Sequence, residues 1–131
     1  MGRKVVFIAA LIGAIGIMLG AFGAHGLKKV VSEAQVLTFE VGVRYQMYHA
    51  FFLLFIGMSS YFSDKAKKTA MYLVLFGILF FSGSIYLLTF KDMISINLRF
   101  IGPITPVGGV LFIIAWLYAG IQAYKGKNAI K

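Results

Sequence analysis

The chain has 131 residues, of which 60% are hydrophobic and only 13% charged, and its mean hydropathy is +0.88. A water-soluble domain carries about a quarter charged residues, so the composition excludes a soluble fold and points to one all-α integral membrane domain over residues 1–131. Its 13 Lys and Arg outnumber 4 acidic residues, but these cations punctuate apolar runs, which suits anionic lipid headgroups and not nucleic acid, while the lack of cysteine excludes disulfides, thiolate ligands and thiol nucleophiles.

Crossing ~30 Å of hydrocarbon takes ~20 apolar residues in a helix. Four runs meet that need, and they predict a compact bundle of four transmembrane helices at 5–24, 33–62 (with an interfacial start), 69–90 and 106–124. The first run follows Arg3 and Lys4. It exceeds the roughly 7–15 apolar residues of a signal peptide and further spans follow it, so it is expected to be retained. Gly13, Gly16, Gly20 and Gly23 recur along one side of it. Gly16-x-x-x-Gly20 is a small-x-x-x-small unit, which predicts close helix packing within the bundle or between subunits. His25 closes this span.

The second helix should start before its apolar part. Ser32 and Gln35 have the spacing of a capping box, with Val31 and Val36 as a hydrophobic staple. From Glu33 to Tyr61 the helix would be ~43 Å long, so its first turns should project into the interface. Glu40 and Arg44 stand four apart in the favourable order for an ion pair. Arg44, Tyr45, Gln46, Tyr48 and His49 then make the helix polar nearly all round, which is costly at membrane depth and marks a candidate ligand-binding site. Arg44 and the tyrosines also have an interfacial explanation, snorkelling and an aromatic belt. His49 has none: at about 20 Å from the end of its span near Phe62, it requires a partner.

In the third span Gly83 lies between Ser82 and Ser84, and the serines can bond back to the preceding turn. Gly83 reads as a packing glycine, as do Gly108 and Gly109 in the fourth span. Between these spans Ile94, Ile96, Leu98 and Phe100 alternate with polar residues, the pattern of an extended segment on the membrane surface or over the bundle mouth. Pro106 suits the first turn of the fourth helix.

Alternation of the spans brings His25, the 40–49 tract, Ser82, Ser84 and Tyr86 to one depth, in the half away from the termini. Arg3, Lys4, Lys65, Lys67, Lys68, Lys125, Lys127 and Lys131 share the side of the termini, against Lys28, Lys29, Arg44, Lys91 and Arg99 opposite, so both termini are expected in the cytoplasm. Two histidines and one nearby carboxylate fall short of a metal site, and no acidic group is fixed within a span to orient a Ser–His pair. No catalytic residue, metal or cofactor is therefore expected.

Gly-Ala-Phe-Gly-Ala-His-Gly-Leu at 20–27, Tyr-Gln-Met-Tyr-His-Ala at 45–50, Phe-Ser-Gly-Ser-Ile-Tyr at 81–86 and Gly-Pro-Ile-Thr-Pro-Val-Gly-Gly at 102–109 stand in order along the chain. They resemble the transmembrane-protein-256-like small four-span proteins, domain-of-unknown-function family 423. The resemblance implies a multi-pass protein of the bacterial plasma membrane and brings no reaction or cofactor with it. The expected role is non-enzymatic, through membrane organisation, anionic lipid at the basic cytoplasmic edge, self-association or a membrane-protein partner. The alternative is a small transporter, channel or ligand-binding bundle built on the polar residues His25, Glu40, Arg44, Tyr45, Gln46, Tyr48, His49, Ser82 and Ser84.

Overall fold

A computed structural model describes residues 1–126, and every regular element in it is helical. Five α-helices run in order: α1 Gly2–Ala24, α2 Glu33–Met58, α3 Asp64–Phe80, α4 Ser82–Thr89 and α5 Ile104–Lys125. Three stretches are long and apolar enough to cross a membrane: Gly2–Lys29, the joined α3–α4 run Asp64–Thr89, and Arg99–Lys125. α2, with 26 residues, is as long as these. It falls outside that group because the polar residues 44–49 dilute its apolar half.

The start of α2 carries the complete capping box, with Gln35 N–H donating to Ser32 Oγ and Ser32 N–H to Gln35 Oε1. Val31 and Val36 pack in one apolar cluster with Leu27 and Phe39. The other end of α2 stops at Met58, four residues short of the expected 62. Hydropathy runs on through Tyr61 and Phe62, but Phe62 is a buried core residue of the connection, not of the helix. Ser63 caps α3 by accepting from Ala66 N–H at 3.1 Å, so that helix begins at Asp64 and not at 69. The Lys67 ammonium donates to the Gly57 carbonyl at 3.0 Å, placing a cation on the carbonyl end of α2.

The expected single helix 69–90 is in fact two, broken at Phe81 (φ −88°, ψ −72°). Ser82-Gly83-Ser84 follows the break, the composition at which helices bend most readily. Gly108 of α5 presses on the backbone of Phe80 and Phe81 from the other side. The alternating segment 94–100 does not form a strand: short 3₁₀ turns at Lys91–Met93 and Arg99–Ile101 bracket it. Gln35 donates to Asp92 Oδ2 at 3.1 Å and ties this loop to the start of α2.

Helices run antiparallel across the α1–α2 and α3–α5 seams. Along the α1–α2 seam Gly13 faces Ala50, Gly16 faces Met47 and Gln46, Gly20 faces Val43, and Gly23 faces Phe39. The glycine stripe thus packs inside the chain. Gly77 and Gly108 serve the α3–α5 seam, the first against the Phe112 ring. Gly109 is only in ordinary contact with Phe81, and Gly83 only with the end of α3 just before it, so neither is the tight packing glycine expected. Two apolar clusters result, one built on Val5, Ala9, Leu53, Ile56, Met71 and Val74, the other on Leu27, Val36 and Phe39. Polar side chains fill the level between them.

Candidate functional site

Among the described residues five polar side chains are buried: Gln46, His49, Ser82 and Ser84 at that level, and Thr89 seven residues beyond Ser82 along α4. Glycines make room for Gln46 and its partner Tyr86, and Ser82 and Ser84 follow the break between α3 and α4. With no side chain at Gly16, Gln46 Nε2 reaches the Ile12 carbonyl at 3.0 Å; a Cβ on Gly16 would stand 3.4 Å from that nitrogen. The Tyr86 hydroxyl donates to Gln46 Oε1 at 2.7 Å, and the Tyr86 ring lies where a Cβ on Gly42 would come within 2.8 Å of it. Ser82 donates to the Gly42 carbonyl at 2.7 Å. Ser84 bonds back to the Phe81 carbonyl at 2.9 Å and shares a hydrogen bond with Thr105, while Thr89 bonds back to the Ile85 carbonyl.

His49 has two partners. Its Nδ1 lies 2.7 Å from the Tyr45 carbonyl, and the Trp116 indole N–H donates to its Nε2 at 3.0 Å. A carbonyl only accepts and an indole N–H only donates, so this pair of contacts is that of a neutral ring with its proton on Nδ1. The Phe112 ring stacks on the imidazole at 3.6 Å between centroids, tilted by 12°. Phe112 is itself positioned against Gly77, so the α3–α5 seam sets the plane of the histidine. Histidine-selective ¹⁵N spectra of the protein in micelles are expected to show His49 as the Nδ1–H tautomer; a signal for the Nε2–H tautomer would refute this geometry.

The layer does not include every residue that topology assigned to its depth. His49 is level with Gly13, whereas His25 stands twelve residues further along α1, about 18 Å away, exposed at the helix end. Glu40, half-buried, is nine residues from His49 along α2, about 14 Å. The expected Glu40–Arg44 ion pair is not formed: among the described residues the single ion pair joins the Met1 amino group to Asp64. Arg44, Tyr45 and Tyr48 are exposed on the outer surface of α2, with the two tyrosine rings in edge contact. The layer does contain Tyr86, which the alternation of spans places at this depth, and it adds Thr105, Phe112 and Trp116, which sequence reasoning did not assign to it. For Trp116 there was a signal: an indole N–H in an apolar span requires an acceptor.

Chemically the layer is closed. Among the described residues no buried side-chain nitrogen or oxygen lacks a hydrogen-bond partner, and no three His, Cys, Asp or Glu residues come together. Two apolar clefts open beside it on the α2–α5 face. One, about 550 Å³, is lined by Tyr45, His49, Phe81 and Ile113; the other, about 450 Å³, by Tyr48, Phe51, Phe55 and Gly120. Trp116 lines both.

Residues 19–109 match the model of a family described as Protein of unknown function (DUF423). The chain is 42% identical over 120 residues to a UPF0382 membrane protein of Staphylococcus epidermidis, covering 92% of this chain and 94% of the relative. It is 35% identical over 128 residues to a UPF0382 membrane protein of Haemophilus influenzae (98% and 99%) and 38% identical over 125 residues to UPF0382 membrane protein YwdK of Bacillus subtilis (92% and 95%). No solved structure matches the chain. The apolar helices, the glycine seams and these matches along nearly its whole length agree: the chain belongs to this family of small membrane proteins of unknown function.

Proposed function

We propose that the protein is a non-enzymatic, single-domain, four-span protein of the plasma membrane, with both termini in the cytoplasm. It acts through helix packing, contact with anionic lipid, and association with a second copy or another membrane protein. The observation that carries the reading is the closed polar layer. Gln46 bonds Ile12 and Tyr86, and His49 bonds Trp116, so the two buried groups of the 44–49 tract are accounted for by holding helices together. In hydrocarbon a polar side chain is tolerated when it is paired inside the bundle, which also lets α2 serve as the fourth span despite its polar residues.

Orientation rests on the cations. Arg3, Lys4, Lys65, Lys67, Lys68 and Lys125 gather at one end of the bundle, and Lys127 and Lys131 lie outside the described residues. Because the chain has no cysteine, single reporters can test this. Lys29→Cys should react with an impermeant maleimide on intact cells, and Lys65→Cys only after lysis; reaction of both from one side would overturn the topology. Lys65 is preferred to Lys67, whose ammonium is engaged by Gly57. In proteoliposomes the wild-type protein should carry no ion or solute flux, and a flux abolished by His49→Ala would replace this reading with a transport one.

A further inference from the structure

We propose that the α2–α5 face binds one anionic phospholipid, its phosphate held by Arg44 and one acyl chain lying in the clefts beside Trp116. The proposal rests on the membrane-bundle reading above and names one occupant for its surface. Three observations on α2 and α5 carry it. First, Arg44 is exposed on a membrane helix and, among the described residues, has no carboxylate within ion-pairing distance. A guanidinium beside hydrocarbon needs an anion.

Second, the apolar clefts begin next to it. Tyr48 lies one helical turn from Arg44 on the same face and lines one cleft, and Tyr45 lines the other. Neither tyrosine hydroxyl has a hydrogen-bond partner within the described residues, so both are free for the phosphate or glycerol oxygens of a lipid. Third, the cleft lined by Tyr48 continues down α5 past Gly120, where a Cβ would meet nothing within 4 Å. Arg44 is five residues from His49, hence about 7–8 Å above the level of Trp116, which puts the indole beside the upper half of a chain whose phosphate sits at Arg44.

Charge also chooses between occupants. The chain's 4 acidic residues are Glu33, Glu40, Asp64 and Asp92, all outside α1 and α5. An α1 or α5 helix of a second copy would therefore fill the clefts and leave Arg44 without a counter-charge. A phospholipid supplies the anion and the apolar chain together.

Trp116 is the single tryptophan and is 54% exposed, so it reports on the clefts directly. The protein is reconstituted in phosphatidylcholine vesicles containing a minor fraction of mid-chain-brominated phosphatidylglycerol or, in parallel, brominated phosphatidylcholine. The phosphatidylglycerol is expected to quench Trp116 with about fivefold higher apparent affinity, the preference of one arginine for an anionic headgroup. Arg44→Gln should erase the preference and leave quenching by phosphatidylcholine unchanged, while Lys68→Gln at the opposite end should keep it. Equal quenching by both lipids in the wild type, or a preference lost in Lys68→Gln and kept in Arg44→Gln, removes the lipid site while the bundle reading stands. Trp116 emission untouched by either brominated lipid removes the membrane placement and the site with it.

Discussion

Gly108→Ala is expected to destabilise the protein by about 3 kcal/mol or more, at the top of the range for overpacking, because the added methyl meets backbone. Its Cβ would fall on the Phe81 amide nitrogen and within 2.7 Å of the Phe80 carbonyl carbon, at the point where α3 gives way to α4. Side chains can rotate away from a new methyl group; two helix backbones in contact cannot. Gly120→Ala provides the contrast on the same helix. With open space at that position it should be neutral or stabilising, by up to about 1 kcal/mol from helix propensity alone. Unfolding in mixed micelles with rising dodecyl sulfate, followed by Trp116 fluorescence, measures both. Equal effects would mean that α3, α4 and α5 do not meet as described.

The same contact explains how packing reaches the polar layer. Gly108 sets where α4 starts, and so where Ser82 and Tyr86 point. Gly77, one turn before the break, admits the Phe112 ring that stacks on His49. On α1, Gly16 and Gly23 are the tight positions, and Gly20 is not: a Cβ there would reach Val43 at 3.5 Å, an ordinary contact. A substitution at Gly20 should therefore disturb the α1–α2 seam less than the regular spacing of the stripe suggests.

Much of this was legible in the residues, for identifiable reasons. Apolar runs report burial in protein or lipid, so the helical membrane class follows from hydropathy alone. The Ser32–Gln35 box is a contact between neighbours in sequence and could be read as such. Phe62 was misassigned to a helix because hydropathy cannot separate a core residue in a turn from one in a span. The break at Phe81 has a local cue in Ser82-Gly83-Ser84, but hydropathy runs straight through it and the Gly108 contact on its backbone is distant in sequence. The level of the polar residues follows from helices alternating in direction. Their pairing does not: Gln46 with Tyr86 and His49 with Trp116 are separated by 40 and 67 residues. Glu40 and Arg44 show the opposite failure, since correct spacing did not bring them together.

Whether the layer is structural, as proposed, can be decided at Gln46, which is 4% exposed. Gln46→Met keeps the volume and removes the amide. It leaves the Tyr86 hydroxyl without its acceptor and should cost about 1 kcal/mol, near the upper range for hydrogen bonds between membrane helices. Gln46→Glu is nearly isosteric but replaces the nitrogen that donates to the Ile12 carbonyl with an oxygen, setting a carboxylate against a carbonyl at about the 3.0 Å now spanned by the hydrogen bond. A charge at that depth should cost about 3 kcal/mol. The order of the two variants separates the readings of the layer. In a dry, structural layer Gln46→Glu is far less stable than Gln46→Met in the same dodecyl sulfate titration. In a water-filled path for ions the carboxylate would stay hydrated, and Gln46→Glu would match Gln46→Met or exceed it; that result would put the transport reading ahead of the structural one.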